Sequence, residues 1–359
     1  MTPQSLYESL VALPREAGTP AAAEARTLLR SYLLSLGYSV RSQPFTFQTA
    51  SLNALPILGA GLGWLTVLEI PLLLSTLPGW LAPVVWLVGA TGLGMLAGGV
   101  GTGVAVPGAE RREDANLIAS RGTAPVRRWI VAHVDSKAQG HSLAGRLLAV
   151  WILVLATVLF TILTVLRLVG GAPLPATLVA GQAGLSLTAG VLAGRGRLKG
   201  TSPGARDNGT GVLAALVAAE ACRDEGVGFL FTGAEEFGLV GARAFSASEA
   251  VQAGTDVVNL DTLTDRGRLY VVFHDERGRA LAARMARALR DVAAGCRRRR
   301  LPLGILVDSL PLARAGCSAV TIGRLDWDDL KHLHTARDTA AGVGLATATA
   351  VGRAVAELR

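Results

Sequence analysis

Two pairs of long, nearly uncharged stretches limit how this chain can fold. Ala54–Leu77 contains one charged residue, Glu69, and Trp80–Val106 contains none. A helix of about 20 residues crosses the roughly 30 Å hydrocarbon core of a bilayer. Leu147–Leu166 is equally apolar, whereas Ala176–Leu192 is a weaker candidate because it contains a glutamine and several glycines. We therefore predict two transmembrane hairpins, with the fourth segment spanning or at least re-entering the bilayer.

The composition agrees with a membrane protein. Half of the 359 residues are hydrophobic, only 17% are charged, and the mean hydropathy is +0.42, which is too apolar for an ordinary soluble enzyme. The net charge of +8 could indicate nucleic acid or an anionic lipid surface. Basic and aromatic residues are not interleaved as in nucleic-acid proteins, so we predict no nucleic-acid partner. The first 50 residues are polar and amphipathic, and they show no cleavable signal peptide.

The polar remainder of the chain reads as one soluble domain that the hairpins interrupt. We assign residues 1–50 to its first part, 51–107 to hairpin 1, 108–142 to its second part, 143–194 to hairpin 2 and 195–359 to its main part. Strand patterns occur at 115–120 and 129–133. Further strand patterns at 227–231, 257–260, 269–273, 303–307 and 319–322 alternate with an amphipathic helical pattern at 212–222 and helical patterns at 280–294 and 341–358. This alternation predicts an α/β fold with a mostly parallel mixed sheet sandwiched by helices.

The placement of basic residues predicts the orientation. The turn near Pro78 has no basic residue, and the turn near Pro173 has only Arg167 beside it. Basic residues concentrate instead where the chain returns from each hairpin: Arg111, Arg112, Arg127, Arg128, Lys137, Arg195, Arg197 and Lys199. The positive-inside rule then puts the soluble domain in the cytoplasm. We expect an integral protein of the bacterial inner membrane with four transmembrane helices.

Acidic residues and histidines occur at predicted strand ends and loops, where open α/β sheets bind ligands. They are His133 and Asp135, Asp207, Glu235 and Glu236, Asp261, and His334 with Asp338. Carboxylates and imidazoles together suit zinc. Taken singly, each has an ordinary explanation: a histidine is more often a core or surface residue, and paired glutamates are favourable at a helix start.

The motifs resemble, in the same order, those of the zinc aminopeptidases of peptidase family M28. They are His133-Val-Asp135-Ser, Gly204-Ala-Arg-Asp207-Asn-Gly, Ala234-Glu235-Glu236-Phe-Gly, Asn259-Leu-Asp261 and His334-Thr-Ala-Arg-Asp338-Thr. The similarity covers residues 1–50, 110–141 and 200–359, and the hairpins fall outside it. It implies a phosphorylase/hydrolase-like sandwich with two zinc ions per chain.

The resemblance also implies roles for individual residues. Asp207 would bridge both metals, with His133 and Asp261 completing one site and Glu236 and His334 the other. Glu235 would be the general base, and Asp135 would orient His133. Independent chemistry agrees, because two close metals need a bridging carboxylate and a ligating histidine needs a partner for its other nitrogen. His334 is preferred to His332 because Thr335 and Asp338 follow it as in the family.

Two departures affect the expected substrate pocket. Arg206 precedes Asp207 where an acidic or small polar residue is usual in the family, and it could pair with a substrate carboxylate or with a neighbouring acid. A Ser-Asp-His segment common near the pocket is here Val307-Asp308-Ser309. Aminopeptidase specificity is therefore less firmly indicated than metal binding.

The resulting prediction is a membrane-embedded di-zinc metallopeptidase, an aminopeptidase that removes N-terminal residues from peptides. Its expected partners are a peptide substrate and the lipid bilayer. One alternative is a single-zinc enzyme similar to glutaminyl cyclases. The other is a catalytically inactive membrane scaffold or receptor that keeps the fold.

Overall fold

A computed structural model describes residues 1–101, 109–248, 251–292, 296–302 and 305–358. By its internal contacts the chain divides into two units. The first comprises Met1–Phe47, Arg111–Ala138 and Gly200–Arg359, and the second comprises Gln48–Glu110 and Gln139–Lys199. The ends of the predicted span at Trp80–Val106 and helix at 280–294, and the start of the predicted strand at 303–307, lie outside the described residues.

The described residues form twelve α-helices and eight strands. The helices are α1 Pro3–Val11, α2 Pro20–Ser35, α3 Ala54–Leu74, α4 Leu81–Gly101, α5 Leu143–Gly170, α6 Ala176–Gly194, α7 Gly211–Ala221, α8 Val240–Ser246, α9 Glu276–Ala288, α10 Ser309–Arg314, α11 Trp327–His332 and α12 Ala346–Ala356. The strands are β1 Ser39–Gln48, β2 Arg111–Ser120, β3 Arg128–His133, β4 Val227–Thr232, β5 Asp256–Leu263, β6 Arg268–Phe273, β7 Arg297–Arg300 and β8 Ser318–Leu325.

The first unit is built on one mixed sheet with the strand order β1-β2-β4-β3-β5-β8-β6-β7. Parallel pairing joins β4 to β3, β3 to β5, β5 to β8 and β6 to β7. Antiparallel pairing joins β2 to β4 and β6 to β8. The predicted α/β fold with a mostly parallel mixed sheet between helices is confirmed.

The central strands β3 and β4 consist of residues suited to the interior of a sheet. Every residue of β3 and β4 is buried, which is typical of strands covered by helices on both faces. A Cβ at Gly228 would come within 2.4 Å of the Trp129 ring on the neighbouring strand, so only glycine fits there. Because β3 and β4 pair in parallel, their carboxyl ends lie at the same edge of the sheet, at His133 and Thr232.

Some elements differ from the sequence-based expectation. The helix predicted at 212–222 as amphipathic is buried on all sides from Gly211 to Ala219, because α12 also packs against it. The basic run Arg297–Arg300 forms β7, a fully exposed edge strand paired with β6. In place of the strand predicted at 303–307, residues 305–307 have no regular structure and lead into α10.

The second unit consists of α3, α4, α5 and α6, all four long and apolar enough to cross a membrane. Trp86 of α4 stacks on Phe160 of α5 with ring centroids 4.5 Å apart. Gln182 lies inside this unit, where its Nε2 donates to the Ala156 carbonyl at 2.8 Å. The least apolar of the four predicted segments is thus helical, and its glutamine has a hydrogen-bond partner.

Polar groups within this unit are few and specifically placed. Arg167 is fully buried and donates to the carbonyls of Leu72, Ser75 and Leu77, at or just beyond the C-terminal end of α3. Such groups have no partner within a helix, so the guanidinium satisfies them. Outward-facing positions are apolar, including Trp64 at 71% and Val169 at 80% exposure, as expected of a lipid-facing surface.

Candidate metal centre

His133 ends β3 at the centre of the sheet and is almost completely buried. Its Nδ1 lies 3.0 Å from the backbone carbonyl oxygen of Asp135. A carbonyl only accepts, so Nδ1 carries the proton and donates it. The lone pair of Nε2 is then available on the other side of the ring, 3.2 Å from Oδ1 of Asp207. A ligating histidine needs this tautomer.

Asp135 contacts His133 through its backbone carbonyl, and it contacts Glu235 and Glu236 through its carboxylate. Its two carboxylate oxygens accept the backbone N–H groups of Glu235 and Glu236, each at 3.1 Å. The nearer oxygen is 3.7 Å from Nδ1 of His133, too far for a hydrogen bond. The sequence analysis expected the Asp135 side chain to orient the histidine. In the structure that side chain holds the acidic pair in place.

Asp207 lies in a tight loop that leads into α7. Both oxygens of Asp338 accept from this loop, one from the N–H of Arg206 at 2.9 Å and the other from the N–H of Asp207 at 3.1 Å. Gly204 has a φ of +58°, and a Cβ there would lie 2.5 Å from the Asp207 carbonyl. The loop conformation therefore requires glycine at that position. The same conformation fixes the position of the Asp207 carboxylate.

Asn208 joins this loop to β5. Its Nδ2 donates to the carbonyl of Leu260 at 2.9 Å, and its Oδ1 accepts the N–H of Thr262 at 3.0 Å. Asp261 lies between these two residues in the chain. The asparagine thereby brings the carboxylates of Asp207 and Asp261 to the same edge of the sheet.

The donor atoms have the spacing of zinc ligands. Nε2 of His133 lies 3.2 Å from Oδ1 of Asp207 and 4.0 Å from Oδ1 of Asp261. Nε2 of His334 lies 3.3 Å from Oδ2 of Asp207 and 3.4 Å from Oε2 of Glu236. Bonds of about 2.0–2.2 Å in a tetrahedron imply donors roughly 3.3–3.6 Å apart. Three of the four distances are close to this spacing, and the distance from His133 to Asp261 is longer. The two oxygens of Asp207 face different histidines, as a bridging ligand would.

The adjacent residues Glu235 and Glu236 belong to different clusters of possible metal ligands. One oxygen of Glu235 lies within 4.8 Å of donor atoms from His133 and Asp261, while Glu236 is grouped in the same way with Asp207 and His334. The structure thus brings together the five predicted metal ligands and the predicted base. His332 lies outside the cluster, with its Nδ1 2.8 Å from the carbonyl oxygen of Asp328.

Burial and crowding shift the acidity of these carboxyls. Burial, reinforced by Glu236 and Asp308, raises the pKa of Glu235 well above its usual value although His133 opposes it. Burial also raises the pKa of Asp261 to about 6. Such crowded carboxylates favour cations, and a bound dication would reverse these shifts.

Glu236 behaves in the opposite way because of a residue that the sequence analysis did not assign to the site. Burial alone would raise the pKa of Glu236, but Lys137 and His334 outweigh it and lower the value to about 2. Lys137 had been counted among the basic residues that follow a hairpin, whereas it is almost fully buried. Its position could have indicated this, since Lys137 follows His133 and Asp135 at a spacing of two residues, and alternate residues of an extended chain lie on the same face.

Arg206 pairs with neighbouring acids. Its Nε lies 3.0 Å from Oδ1 of Asp329, and its Nη1 lies 3.3 Å from Oδ1 of Asp338. Of the two partners considered for this arginine, the structure supplies the neighbouring carboxylates. They hold the guanidinium next to the Asp207 loop.

Asp308 is another buried acid, and the sequence analysis assigned it no role. It is completely buried, and one of its oxygens accepts from the hydroxyl of Thr232 at the end of β4. Burial raises its pKa to about 7, with further contributions from Asp135 and Asp261. In the next position, Ser309 lies 2.8 Å from Nε2 of His274.

Comparisons with known proteins find similarity in both sequence and fold. The sequence profile of peptidase family M28 matches residues 193–359. No match is found among curated proteins. Similar solved structures include glutaminyl cyclase from Fimbriiglobus ruber, with a TM-score of 0.56 and 16% identity over 98% of this chain and 91% of that one.

Two aminopeptidases are similar to the same degree. The aminopeptidase from Aneurinibacillus sp. strain AM-1 has a TM-score of 0.56 and 16% identity over 99% of this chain and 92% of that one. The zinc aminopeptidase BSAP from Bacillus subtilis has a TM-score of 0.55 and 14% identity over 99% and 93%. At these identities the similarity establishes a shared fold.

Proposed function

We propose that this protein is a di-zinc aminopeptidase embedded in a membrane, because the sequence profile of peptidase family M28 matches residues 193–359. The observation that carries the proposal is the arrangement of Asp207, whose two carboxylate oxygens lie 3.2 and 3.3 Å from the Nε2 atoms of His133 and His334. A carboxylate shared between two imidazoles in this way suits a pair of metal ions.

The surrounding residues would hold the two zinc ions and handle the proton. His133, Asp261 and Asp207 would bind one ion, and Glu236, His334 and Asp207 the other. Zinc, when bound, would polarise the substrate carbonyl and make water a stronger acid. Glu235 accepts the proton of the attacking water and passes it to the leaving amine. Asp135 keeps Glu235 in position through the backbone N–H contact at 3.1 Å.

A second candidate is glutaminyl cyclisation with a single zinc ion. It is favoured by the fold similarity to the glutaminyl cyclase from Fimbriiglobus ruber, whose TM-score of 0.56 equals that of the aminopeptidase from Aneurinibacillus sp. strain AM-1. In that reaction Glu235 would move a proton from the substrate's own amine, and water would take no part. A peptide with an N-terminal glutamine discriminates the two, because cyclisation releases ammonia and leaves the peptide length unchanged.

The second unit supports the membrane part of the proposal. Four apolar helices with apolar outer surfaces would span the bilayer as two hairpins. The basic residues where the chain returns from each hairpin favour a cytoplasmic location for the first unit. The expected setting is a bacterial inner membrane, with peptides as substrates.

The decisive experiment compares wild type with Glu235→Gln, both full-length in detergent. Bound zinc is measured by mass spectrometry, and hydrolysis is measured with aminoacyl reporters and a peptide library. Gln keeps the shape of Glu but cannot take a proton, so we expect unchanged zinc content and a roughly 100- to 10,000-fold loss of rate. Glu220→Gln, at an exposed position, is the matched control and should retain full activity.

Two outcomes would contradict the proposal. If wild type binds zinc but processes no peptide in either assay, a non-catalytic scaffold or receptor is the better description. If Glu235→Gln keeps the wild-type rate, the base is a different residue and the assigned chemistry is wrong.

A further inference from the structure

Lys137 forms the closest charged contact of the candidate metal centre. Its side chain is 3% exposed, and its Nζ lies 2.6 Å from Oε2 of Glu236. The same ammonium lies 3.3 Å from the backbone carbonyl of Glu236. These two contacts fix a full positive charge directly beside a carboxylate proposed to bind zinc.

The lysine and a zinc ion would use the same oxygen. Oε2 of Glu236 is the atom that lies 3.4 Å from Nε2 of His334, at the spacing of two zinc ligands. Oε1 is buried and has no hydrogen-bond partner among the described residues. An ion bound through Oε2 would lie within about 5 Å of the ammonium, since the ammonium is 2.6 Å from this oxygen and a zinc–oxygen bond is about 2.0–2.2 Å.

The choice of lysine is unusual for this chain. Only three of its 35 basic residues are lysines, and the other two are Lys199 and Lys331. A lysine ammonium is a compact point charge, whereas a guanidinium is a wide planar fork. The compact group fits a pocket beside metal ligands and places its charge close to them, as a small cation would.

We propose that Lys137 sets the metal stoichiometry, so that one zinc binds tightly and the second binds only at a much higher zinc concentration. The inference rests on the proposed function and deepens it. The cluster of carboxylates attracts cations, and Lys137 already supplies one positive charge to it. A first zinc adds two more. The second zinc is repelled both by Lys137 and by the first zinc, and it therefore binds with lower affinity.

The alternative explanation is purely structural. A buried carboxylate needs a partner, and Lys137 could serve only to neutralise Glu236 within the fold. That role predicts that removing Lys137 reduces stability and leaves the ratio of the two zinc affinities unchanged. The two explanations therefore differ in a quantity that can be measured directly.

The test is a zinc titration of the full-length protein in detergent, after removal of metal with a chelator. Free zinc is set by metal buffers, and zinc per chain is measured by mass spectrometry. For wild type we expect two steps separated by at least about 100-fold in zinc concentration, because the second zinc is repelled both by the first zinc and by Lys137 about 5 Å away. Lys137→Met keeps the length of the side chain without its charge, and it should narrow the separation by at least about 10-fold, which is the share of a single charge about 5 Å from a zinc ion even at the dielectric constant of water.

Two further variants separate charge from shape. Lys137→Arg keeps the charge and should keep the wide separation. Lys331→Met removes an exposed lysine that pairs with Asp328, and it should titrate like wild type. Thermal unfolding of each variant shows whether it is folded, and Lys137→Gln, which also lacks the charge, takes the place of Lys137→Met if that variant does not fold.

The results that would overturn the inference are distinct from those that would overturn the proposed function. Two zinc ions that bind wild type at the same concentration refute the role of Lys137 while leaving a di-zinc enzyme intact. A separation in Lys137→Met that is as wide as in wild type also refutes it. Wild type that binds no zinc refutes the proposed function and this inference together.

Discussion

Replacing Asp308 by asparagine tests how strongly burial acts on the acids of this site. Asp308 is completely buried, and its pKa is raised from 3.8 to about 7, mainly because the charged form loses its hydration. Asparagine has the shape of the protonated acid and can still accept the hydrogen bond from Thr232. The variant therefore removes the ionisation while keeping the neighbouring contact.

The sign of the effect follows from proton linkage. The folded protein holds the Asp308 proton more tightly than the unfolded chain, so wild type loses stability as pH rises from about 4 to about 7. Because the pKa of Asp308 is about three units higher in the folded protein than in the unfolded chain, ionisation lowers the free energy of unfolding of wild type. The loss relative to low pH is about 4 kcal/mol at pH 8 and about 2 kcal/mol at pH 5. Asp308→Asn lacks this loss, so we expect its advantage over wild type to grow by about 2 kcal/mol between these pH values.

The measurement is urea unfolding of metal-free protein in detergent, followed by pulse proteolysis at pH 5, 6, 7 and 8. The exposed Asp328 is the control, since the ion pair with Lys331 lowers its pKa rather than raising it. Asp328→Asn should therefore show no growing advantage with pH. If the difference between Asp308→Asn and wild type is the same at pH 5 and pH 8, the acid is not perturbed by burial and the reasoning fails.

Two other predictions concern the Asp207 loop and the orientation. Asp338→Asn should weaken zinc binding by about 10-fold or more, since one of the two oxygens that accept the N–H groups of Arg206 and Asp207 is replaced by an amide group that donates. Asp265→Asn, which alters a carboxylate that caps α12, is the control in the same titration and should leave zinc binding unchanged. A reporter fused after Arg359 should be active as a cytoplasmic fusion and inactive as a periplasmic one, and the reverse result would contradict the orientation.

The sheet could be predicted well from the sequence because its strands are short apolar runs bounded by polar turns. The buried runs Trp129–His133 and Phe229–Phe231 have no other plausible structure at that length. The edge strand Arg297–Arg300 was not predicted, because four consecutive arginines lack the alternation that marks a half-buried strand. Backbone pairing with β6 stabilises it, and charged side chains are common on exposed edges, where they oppose aggregation.

The metal ligands could be identified because their spacing in the chain forms motifs, whereas their supporting contacts could not. The pairing of Arg206 with Asp329 joins residues 123 positions apart, and no local pattern connects them. Similarly, the sequence places Asp135 beside His133 but does not reveal that its carboxylate faces Glu235 and Glu236. Such contacts depend on how β3 and β4 are positioned side by side, which is tertiary information.

The geometry of the first unit also constrains the topology of the second. His133 and Asp207 are separated in the chain by α5 and α6, yet their Nε2 and Oδ1 atoms are 3.2 Å apart. Likewise, Gly18 and Asp114 lie on either side of α3 and α4, and the Gly18 N–H donates to the Asp114 carboxylate at 3.0 Å. If only one helix of either pair crossed a bilayer, these contacts would join groups on opposite sides of it. Hence both helices of each pair cross or neither does, and the weakly apolar α6 must follow α5 if α5 spans the membrane.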